Sequence, residues 1–291
     1  MSRRKTVLLT LFVMLLWGSL FPVIKLSYGV YGIKTTGSIL YFAGVRFTVC
    51  GIIITAYAFL RDRKSFSAVK SAAAPILLSG VFAIILHYGF TYTGLKFTDS
   101  SKTAILKQIG VLFYVCFSFL FFKDDKVSAK KIIAAIMGFL GIIAINADGR
   151  KISFNTGDIL IVSASFCTVF SNVISKKVFK VAEPITATGI SQLFGGAVLL
   201  VCGKILGGSL SIPFGGSFFL MAYILIASVL SYSAWFTVVK SASLSKLFII
   251  KFAEPVFACV FSALILGENI FKIQYPVSFL LIAGGIYISN K

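Results

Sequence analysis

The sequence predicts an all-α integral membrane protein with ten transmembrane helices, arranged as two inverted five-helix repeats. The first observation is composition: 58% of the 291 residues are hydrophobic and 13% are charged, whereas water-soluble domains have about 45–50% apolar and about 25% charged residues. The second is a series of ten apolar stretches, which leaves no room for a soluble domain. The third is that the chain matches itself at a constant offset.

The ten apolar stretches predict the transmembrane helices. They fall at 6–26, 36–60, 72–94, 101–122, 129–147, 156–175, 184–206, 214–239, 244–266 and 271–290. Each is about as long as a helix that crosses ~30 Å of hydrocarbon at ~1.5 Å per residue. Basic residues before the first stretch resemble the start of a signal peptide, but no small-residue cleavage site follows. We therefore expect an uncleaved first helix.

The net charge of +19 arises from 28 Lys and Arg residues against 9 Asp and Glu residues. With ten spans both termini lie on one side, and the segments on that side carry 17 of the basic residues against 8 on the other. The positive-inside rule therefore places both termini in the cytoplasm and the chain in the cell membrane. The charge is then a topology signal, and no nucleic-acid partner is expected. Three basic residues, Arg46, Lys107 and Lys251, remain inside the spans.

Self-comparison indicates a duplicated five-helix unit. The aligned blocks are 101–146 with 245–290, at a constant offset of 144, and 36–51 with 188–203. In this alignment Lys107 matches Lys251, and we expect the two units to occupy residues 1–147 and 156–290. An odd number of helices per unit forces the units into opposite orientations, as in secondary transporters, where the substrate site lies near the midplane between the halves. A duplicated bundle without a passage is the alternative.

Ionisable residues are costly in a bilayer, so each buried one requires a reason. Lys107 and Lys251 lie ~9 Å from the start of oppositely directed helices, and Arg46 and Glu254 lie ~15 Å and ~13 Å deep. Two ammonium groups, one toward each mouth of a central cavity, suit a carboxylate or phosphate substrate. Pairing within the protein and snorkelling of the lysines to the headgroups are the alternatives. For Arg46 the alternative is a structural partner such as Glu254 or a helix-end carbonyl.

Other polar and aromatic residues in the spans are further candidates. Glu254 lies three residues after Lys251 on the same helix face, so we expect it to neutralise this lysine when substrate is absent. Because it is buried in a span, Glu254 is also the first candidate for carrying a coupling proton. His87 is the second, with a structural hydrogen bond as its alternative role. The candidates for lining a substrate cavity are Trp17, Gln108, Asn172, Ser231, Tyr232 and Trp235. A place in the aromatic belt is the alternative for Trp235.

Prolines in two spans predict hinges. Pro255 has no N–H and its ring crowds the carbonyl of Lys251, and Pro22 crowds the carbonyl of Gly18 in the same way. Gly18, Pro22 and Pro255 are therefore the hinge candidates, with a kink used only for packing as the alternative. The five cysteines form no CxxC spacing and no HExxH sequence occurs, so neither a metal nor a cofactor is expected.

Short motifs in three spans carry a family resemblance. They are Trp17-Gly18 in the first span, Gly94-Leu95-Lys96-Phe97-Thr98 at the end of the third, and Glu254-Pro255-Val256-Phe257-Ala258 with Leu266-Gly267-Glu268-Asn269 in the ninth. Nearly the whole chain resembles the EamA-like, ten-helix members of the drug/metabolite transporter superfamily. The resemblance implies a secondary transporter with a cavity bounded by both halves, for amino acids, other metabolites, nucleotide-derived compounds or drugs. The first repeat departs from the pattern, with Gly110-Val111 at the positions that match Glu254-Pro255.

The predicted function is secondary transport of a small metabolite, such as an amino acid, an organic anion or a drug, across the cytoplasmic membrane by alternating access. The resemblance implies export. No nucleotide-binding motif is present, so a proton or substrate gradient is the expected energy source and no enzymatic activity is expected. A channel, an intramembrane enzyme and a bundle without transport are the alternatives. The expected partners are the substrate and the lipid bilayer; small residues such as Ala134 and Gly138 fit either packing within the chain or a homodimer.

Overall fold

Helices make up almost all of the computed structural model. The structure describes residues 3–117, 120–121, 129–148, 151–152, 154–213, 215–242, 244–251 and 253–289. The α-helices are α1 (Arg3–Val30), α2 (Thr36–Arg61), α3 (Ser67–Ser71), α4 (Ala73–Gly80), α5 (His87–Leu95), α6 (Ser100–Leu106), α7 (Gln108–Phe117), α8 (Ala129–Asn146), α9 (Thr156–Val178), α10 (Pro184–Ile205), α11 (Gly216–Ser241), α12 (Leu244–Ile250), α13 (Ala253–Leu266) and α14 (Gln274–Ser289). The remaining elements are a 3₁₀ turn at Arg63–Phe66, a π-helical segment at Val81–Leu86 between α4 and α5, and an antiparallel hairpin of β1 (Ala147–Asp148) and β2 (Lys151–Ile152).

Within the described residues, six helical segments are long and apolar enough to cross a membrane. They are Arg4–Val30, Thr36–Arg61, Ala73–Leu95, Thr156–Val178, Pro184–Ile205 and Gly216–Ser241. This confirms the predicted all-helical, multi-pass membrane protein. Other apolar helices are shorter, as in α13 with 14 residues and α14 with 16, so the count of ten spans stays a prediction. Parts of the predicted spans at 101–122, 214–239, 244–266 and 271–290 lie outside the described residues.

The fourth and ninth predicted spans are each divided into two helices. The sequence predicts a kink in the ninth span, at Pro255, but none in the fourth. α6 ends one residue before Lys107 and α7 begins one residue after it, while α12 ends one residue before Lys251 and α13 begins two residues after it. Pro255 has no N–H for the carbonyl oxygen of Lys251, which accepts instead from the N–H of Glu254 at 3.0 Å. The break at Lys107 has no proline beside it. Proline therefore explains only one of two breaks at matched positions.

Glycines join α2 and α10 along an antiparallel contact. A Cβ on Gly44 would lie 2.3 Å from the backbone nitrogen of Leu200, and a Cβ on Gly196 would lie 2.3 Å from that of Thr48. Because these distances are far below van der Waals contact, only glycine lets the two backbones approach so closely. Gly44 and Gly196 are also matched positions of the sequence repeat. Arg46 lies on α2, in this closely packed pair of helices.

α1 crosses α13 at Gly18, one of the hinge candidates. A Cβ on Gly18 would lie 2.7 Å from the Cβ of Phe257 and 2.9 Å from the carbonyl oxygen of Glu254. Gly18 is therefore a close-packing residue, and the crossing brings Trp17 on α1 to the level of Glu254 on α13. α1 runs through Pro22 without interruption. Hinge movement at Gly18 and Pro22 stays a prediction.

Candidate functional site

A cavity lies inside the bundle, between α1, α2, α5, α9, α11 and the two helix breaks. Its lining residues are Trp17, Leu20, Phe21, Ile24, Arg46, Ala83, His87, Tyr88, Thr91, Tyr92, Leu95, Lys107, Thr168, Ser171, Asn172, Tyr232, Trp235, Phe236, Lys251 and Glu254. The volume of about 60 Å³ is room for about four to six water molecules at ~10–15 Å³ each. The cavity in this conformation therefore suits a small ligand.

All the predicted binding and proton-coupling residues line this cavity except Gln108 and Ser231. The hydroxyl of Ser231 donates to the carbonyl oxygen of Ser228 at 3.2 Å, within α11. The side-chain amide nitrogen of Gln108 donates to the carbonyl oxygen of Ala104 at 3.2 Å, one helical turn earlier. Gln108 therefore contacts its own helical segment and is not part of the cavity lining. The nine remaining residues come together from sequence positions between 17 and 254.

The cavity holds an excess of buried positive charge. Arg46, Lys107 and Lys251 are 1%, 8% and 3% exposed, and Glu254 is 1% exposed. Among the described lining residues Glu254 is the one carboxylate against these three cations. The burial of both lysines contradicts the snorkelling alternative. Because isolated charges are costly at this depth, an anionic ligand would offset part of the cost.

Lys251 and Glu254 form an ion pair across the helix break. The Nζ atom of Lys251 lies 3.8 Å from Oε2 of Glu254, as their spacing of three residues predicts. The same Nζ lies 5.6 Å from the ring centroid of Trp17. Neither Glu254 Oε2 nor the indole nitrogen of Trp17 has a hydrogen-bond partner in the described part of the chain. A buried acceptor and a buried donor are thus available to a ligand beside Lys251.

Lys107 is held by a histidine and not by a carboxylate. Its Nζ lies 3.2 Å from Nε2 of His87, and Nδ1 of His87 lies 2.6 Å from the hydroxyl of Thr168. A lysine ammonium has only donors, so Nε2 accepts and the ring proton is on Nδ1, which donates to Thr168. The Thr168 hydroxyl in turn donates to the carbonyl oxygen of Ala164 at 3.2 Å. The geometry therefore requires a neutral His87 while Lys107 is charged, and proton transport by His87 stays a prediction.

Arg46 is bound by hydroxyl groups and aromatic rings. Its Nε donates to Oγ of Ser228 at 2.8 Å, and its Nη1 donates to the hydroxyl of Tyr92. The guanidinium lies 4.7 Å from the ring centroid of Phe47, a cation–π distance. The alternative partners considered for Arg46, Glu254 or a helix-end carbonyl, are therefore not the ones found. No carboxylate neutralises Arg46 among the described residues.

Aromatic side chains also line the cavity. The ring of Trp17 lies 5.1 Å from that of Trp235 and 5.7 Å from that of Tyr232. The indole nitrogen of Trp235 donates to Oδ1 of Asn172 at 3.0 Å, and the hydroxyls of Tyr232 and Tyr88 share a hydrogen bond. Trp235 is 1% exposed, so it belongs to the cavity and not to an aromatic belt.

Fold and site together define a multi-pass α-helical membrane protein with a buried, charged cavity between its helices, a feature of membrane transporters. Sequence comparison gives the family. Residues 4–147 and 155–291 match the sequence model of the EamA-like transporter family. The chain belongs to that family.

Relatives of the chain are named as transporters. The uncharacterized inner membrane transporter YedA of Escherichia coli (strain K12) is 26% identical over 266 residues, which cover 90% of this chain and 83% of YedA. The uncharacterized transporter YvbV of Bacillus subtilis (strain 168) is 25% identical over 295 residues, covering 99% and 90%. A solved crystal structure matches with a TM-score of 0.72 at 18% identity, covering 99% of this chain and 96% of that one, and shares the fold. The chain is therefore a membrane transporter at the level of its family.

Proposed function

We propose that the protein is a secondary transporter that moves a small anionic metabolite across the cytoplasmic membrane by alternating access, with the buried cavity as its substrate site. The observation that carries the proposal is the excess of cations around the cavity, three basic side chains against one carboxylate. A carboxylate or phosphate group on the substrate forms charge-assisted hydrogen bonds with Lys107 and Lys251, which approach the cavity from two different helix breaks. Organic anions and acidic amino acids fit the charge and the small volume.

The two halves, 1–147 and 156–290, act in this proposal as inverted repeats of five helices each. The matched glycines on α2 and α10 support it because they contact each other's helices reciprocally. The helix breaks at the matched residues Lys107 and Lys251 support it as well. A family match in two consecutive stretches of similar length is consistent with the same division. Rocking of one half against the other would expose the cavity to each side in turn.

Topology and coupling complete the proposal. The excess of basic residues on one side places both termini in the cytoplasm, and the family resemblance favours export. In this proposal Glu254 couples transport to a proton gradient. Its Oε2 has no hydrogen-bond donor among the described residues, and protonation of this carboxylate would free Lys251 to bind the substrate. Pro255 then allows α13 to move against α12.

Counterflow in proteoliposomes tests the proposal. The purified protein is reconstituted and loaded with single members of a panel of carboxylates, phosphates and amino acids, and uptake of the labelled compound is measured. Saturable counterflow of an anion that is recovered chemically unchanged supports the transporter. Lys107→Ala and Lys251→Ala should each weaken anion binding at least about tenfold and lower counterflow accordingly. Lys204→Ala, which changes an exposed lysine at the end of α10, should leave counterflow unchanged. Ohmic current or chemical conversion of the compound would contradict alternating access and favour a channel or an enzyme.

A further inference from the structure

Two carboxylates hold the bundle together at the end where α1 terminates. Asp158 at the start of α9 and Glu268 after α13 both belong to the second half of the chain. Both contact the short segment 98–102, which ends the connection between α5 and α6 and begins α6 in the first half. We call Asp158, Glu268 and segment 98–102 the carboxylate clamp.

Glu268 makes the larger set of contacts. Its Oε1 accepts from the backbone N–H of Ser100 at 2.9 Å, and its Oε2 accepts from the N–H and the hydroxyl of Ser101 at 3.0 and 2.6 Å. Nζ of Lys25, in the C-terminal part of α1, lies 3.6 Å from Oε1. Asp99, the residue that precedes α6, makes no side-chain cap hydrogen bond. The start of α6 is therefore secured by a residue from the other half of the chain.

Asp158 holds the same segment from the side of α9. Its carboxylate is completely buried, and it accepts from Nζ of Lys102 at 2.9 Å and from the hydroxyl of Thr98 at 3.0 Å. The carbonyl oxygen of Thr98 accepts from Nζ of Lys25 at 3.0 Å. The same Nζ lies 3.3 Å from Oδ1 of Asp99. All five residues of the segment thus contact charged groups, and bonds to charged groups are the strong ones.

The clamp is mechanically connected to the cavity. Segment 98–102 leads through α6, which spans about 10 Å at ~1.5 Å per residue, directly to Lys107 in the helix break. On its other side the chain passes Leu95, which lines the cavity. A movement of this segment away from Asp158 and Glu268 therefore displaces both a wall of the cavity and one of its lysines.

We propose that the carboxylate clamp closes the cavity at the end of the bundle where α1 terminates, and that its release is the step that opens this end and withdraws Lys107. The proposal rests on the alternating-access function proposed above. It adds the groups that keep this end of the cavity closed. The binding cavity and the clamp share no residue, so the two can be tested separately.

Cysteine accessibility tests the clamp without a substrate. The five native cysteines are replaced by alanine, and a reporter is introduced as Thr91→Cys, because Thr91 lines the cavity and its hydroxyl has no partner among the described residues. A membrane-impermeant methanethiosulfonate reagent that carries a sulfonate is applied to right-side-out and to inside-out vesicles. Lys34→Cys identifies the side of the clamp, because Lys34 is exposed and its carbonyl oxygen accepts from Nζ of Lys96, two residues before Thr98, at 2.6 Å. The rate of Thr91→Cys labelling from that side measures opening.

Glu268→Gln should raise this labelling rate about tenfold, the effect of losing about one charge-assisted hydrogen bond. Ser101→Ala, a milder change that keeps every charge, should raise it about threefold and serves where Glu268→Gln does not fold. The matched control is Glu183→Gln, because Glu183 caps α10 through the N–H groups of Ile185 and Thr186 within its own half. The control should label at the parent rate.

Two results would overturn the clamp. One is a labelling rate at the parent value in both Glu268→Gln and Ser101→Ala, whatever the counterflow experiment gives. The other is acceleration only from the opposite side of the membrane. Faster labelling from the clamp side supports the clamp even where no anion is transported, so failure of the clamp and failure of the proposed substrate class are distinguishable.

Discussion

Lys107 and Lys251 occupy matched positions of the repeat but have different partners. This difference predicts that replacing each lysine by methionine changes the free energy of unfolding differently. Lys251 lies 3.8 Å from the carboxylate of Glu254, whereas Lys107 contacts the neutral ring of His87 at 3.2 Å. Lys107→Met removes a buried cation and leaves no charge behind. Lys251→Met leaves the carboxylate of Glu254 buried without its cation.

The magnitudes follow from this contrast. Removing one partner of a buried ion pair costs about 3–5 kcal/mol, and we expect the lower end, about 3 kcal/mol, because 3.8 Å exceeds a hydrogen-bond distance. Lys107→Met should leave the free energy of unfolding unchanged or raise it by about 1 kcal/mol, since an apolar side chain replaces an uncompensated charge. The double variant Lys251→Met/Glu254→Gln removes both charges and should recover most of the loss.

Thermal unfolding of the four proteins in the same detergent measures the effect. A lower unfolding temperature for Lys251→Met, with no decrease for Lys107→Met and recovery in the double variant, is the expected pattern. Both single variants should still weaken anion binding about 10- to 100-fold, the loss of a hydrogen bond to a charged group. Equal destabilisation by the two single variants would refute the inference that Glu254 is the counter-ion of Lys251 and not of Lys107.

Three further predictions follow from individual contacts. Glu254→Gln should abolish accumulation driven by a pH gradient while counterflow persists; retained accumulation would assign the proton to another group. Gly44→Ala should lower the free energy of unfolding by about 1–3 kcal/mol, because its Cβ would lie 2.3 Å from the facing backbone, whereas Gly29→Ala, with nothing within 4 Å, should unfold like the parent. His87→Gln keeps an acceptor for Lys107 and should retain anion affinity, whereas His87→Leu should weaken it; equal affinities would exclude this role.

Charged residues of the site could be predicted because a bilayer makes each of them conspicuous. An ionisable side chain in the middle of an apolar span requires a compensating role, and Arg46, Lys107, Lys251 and Glu254 all line the cavity. The ion pair of Lys251 with Glu254 could be predicted as well, since helix periodicity places residues three apart on one face.

Neutral partners could not be predicted in this way. Ser228 and Tyr92 bind Arg46, and Thr168 binds the histidine that contacts Lys107, yet a hydroxyl in an apolar span costs little and gives no periodic signal. Ser228 is 182 positions away from Arg46, so only the fold brings the two together. Gln108 illustrates the converse error, because a polar residue next to Lys107 in sequence bonds to its own helical turn.

The charge of the cavity predicts which mode of transport is fast. The described lining residues place three cations against one carboxylate, so the empty cavity holds two excess positive charges while His87 is neutral. Moving uncompensated charge through a low-dielectric interior is costly, whereas a divalent anion cancels the excess and a monovalent anion halves it. Counterflow, in which the cavity is loaded in both directions, should therefore exceed net efflux into substrate-free medium by about tenfold, equivalent to ~1.4 kcal/mol of barrier. Equal rates would mean that the empty cavity reorients as readily as the loaded one, and that its buried charges do not control the transition.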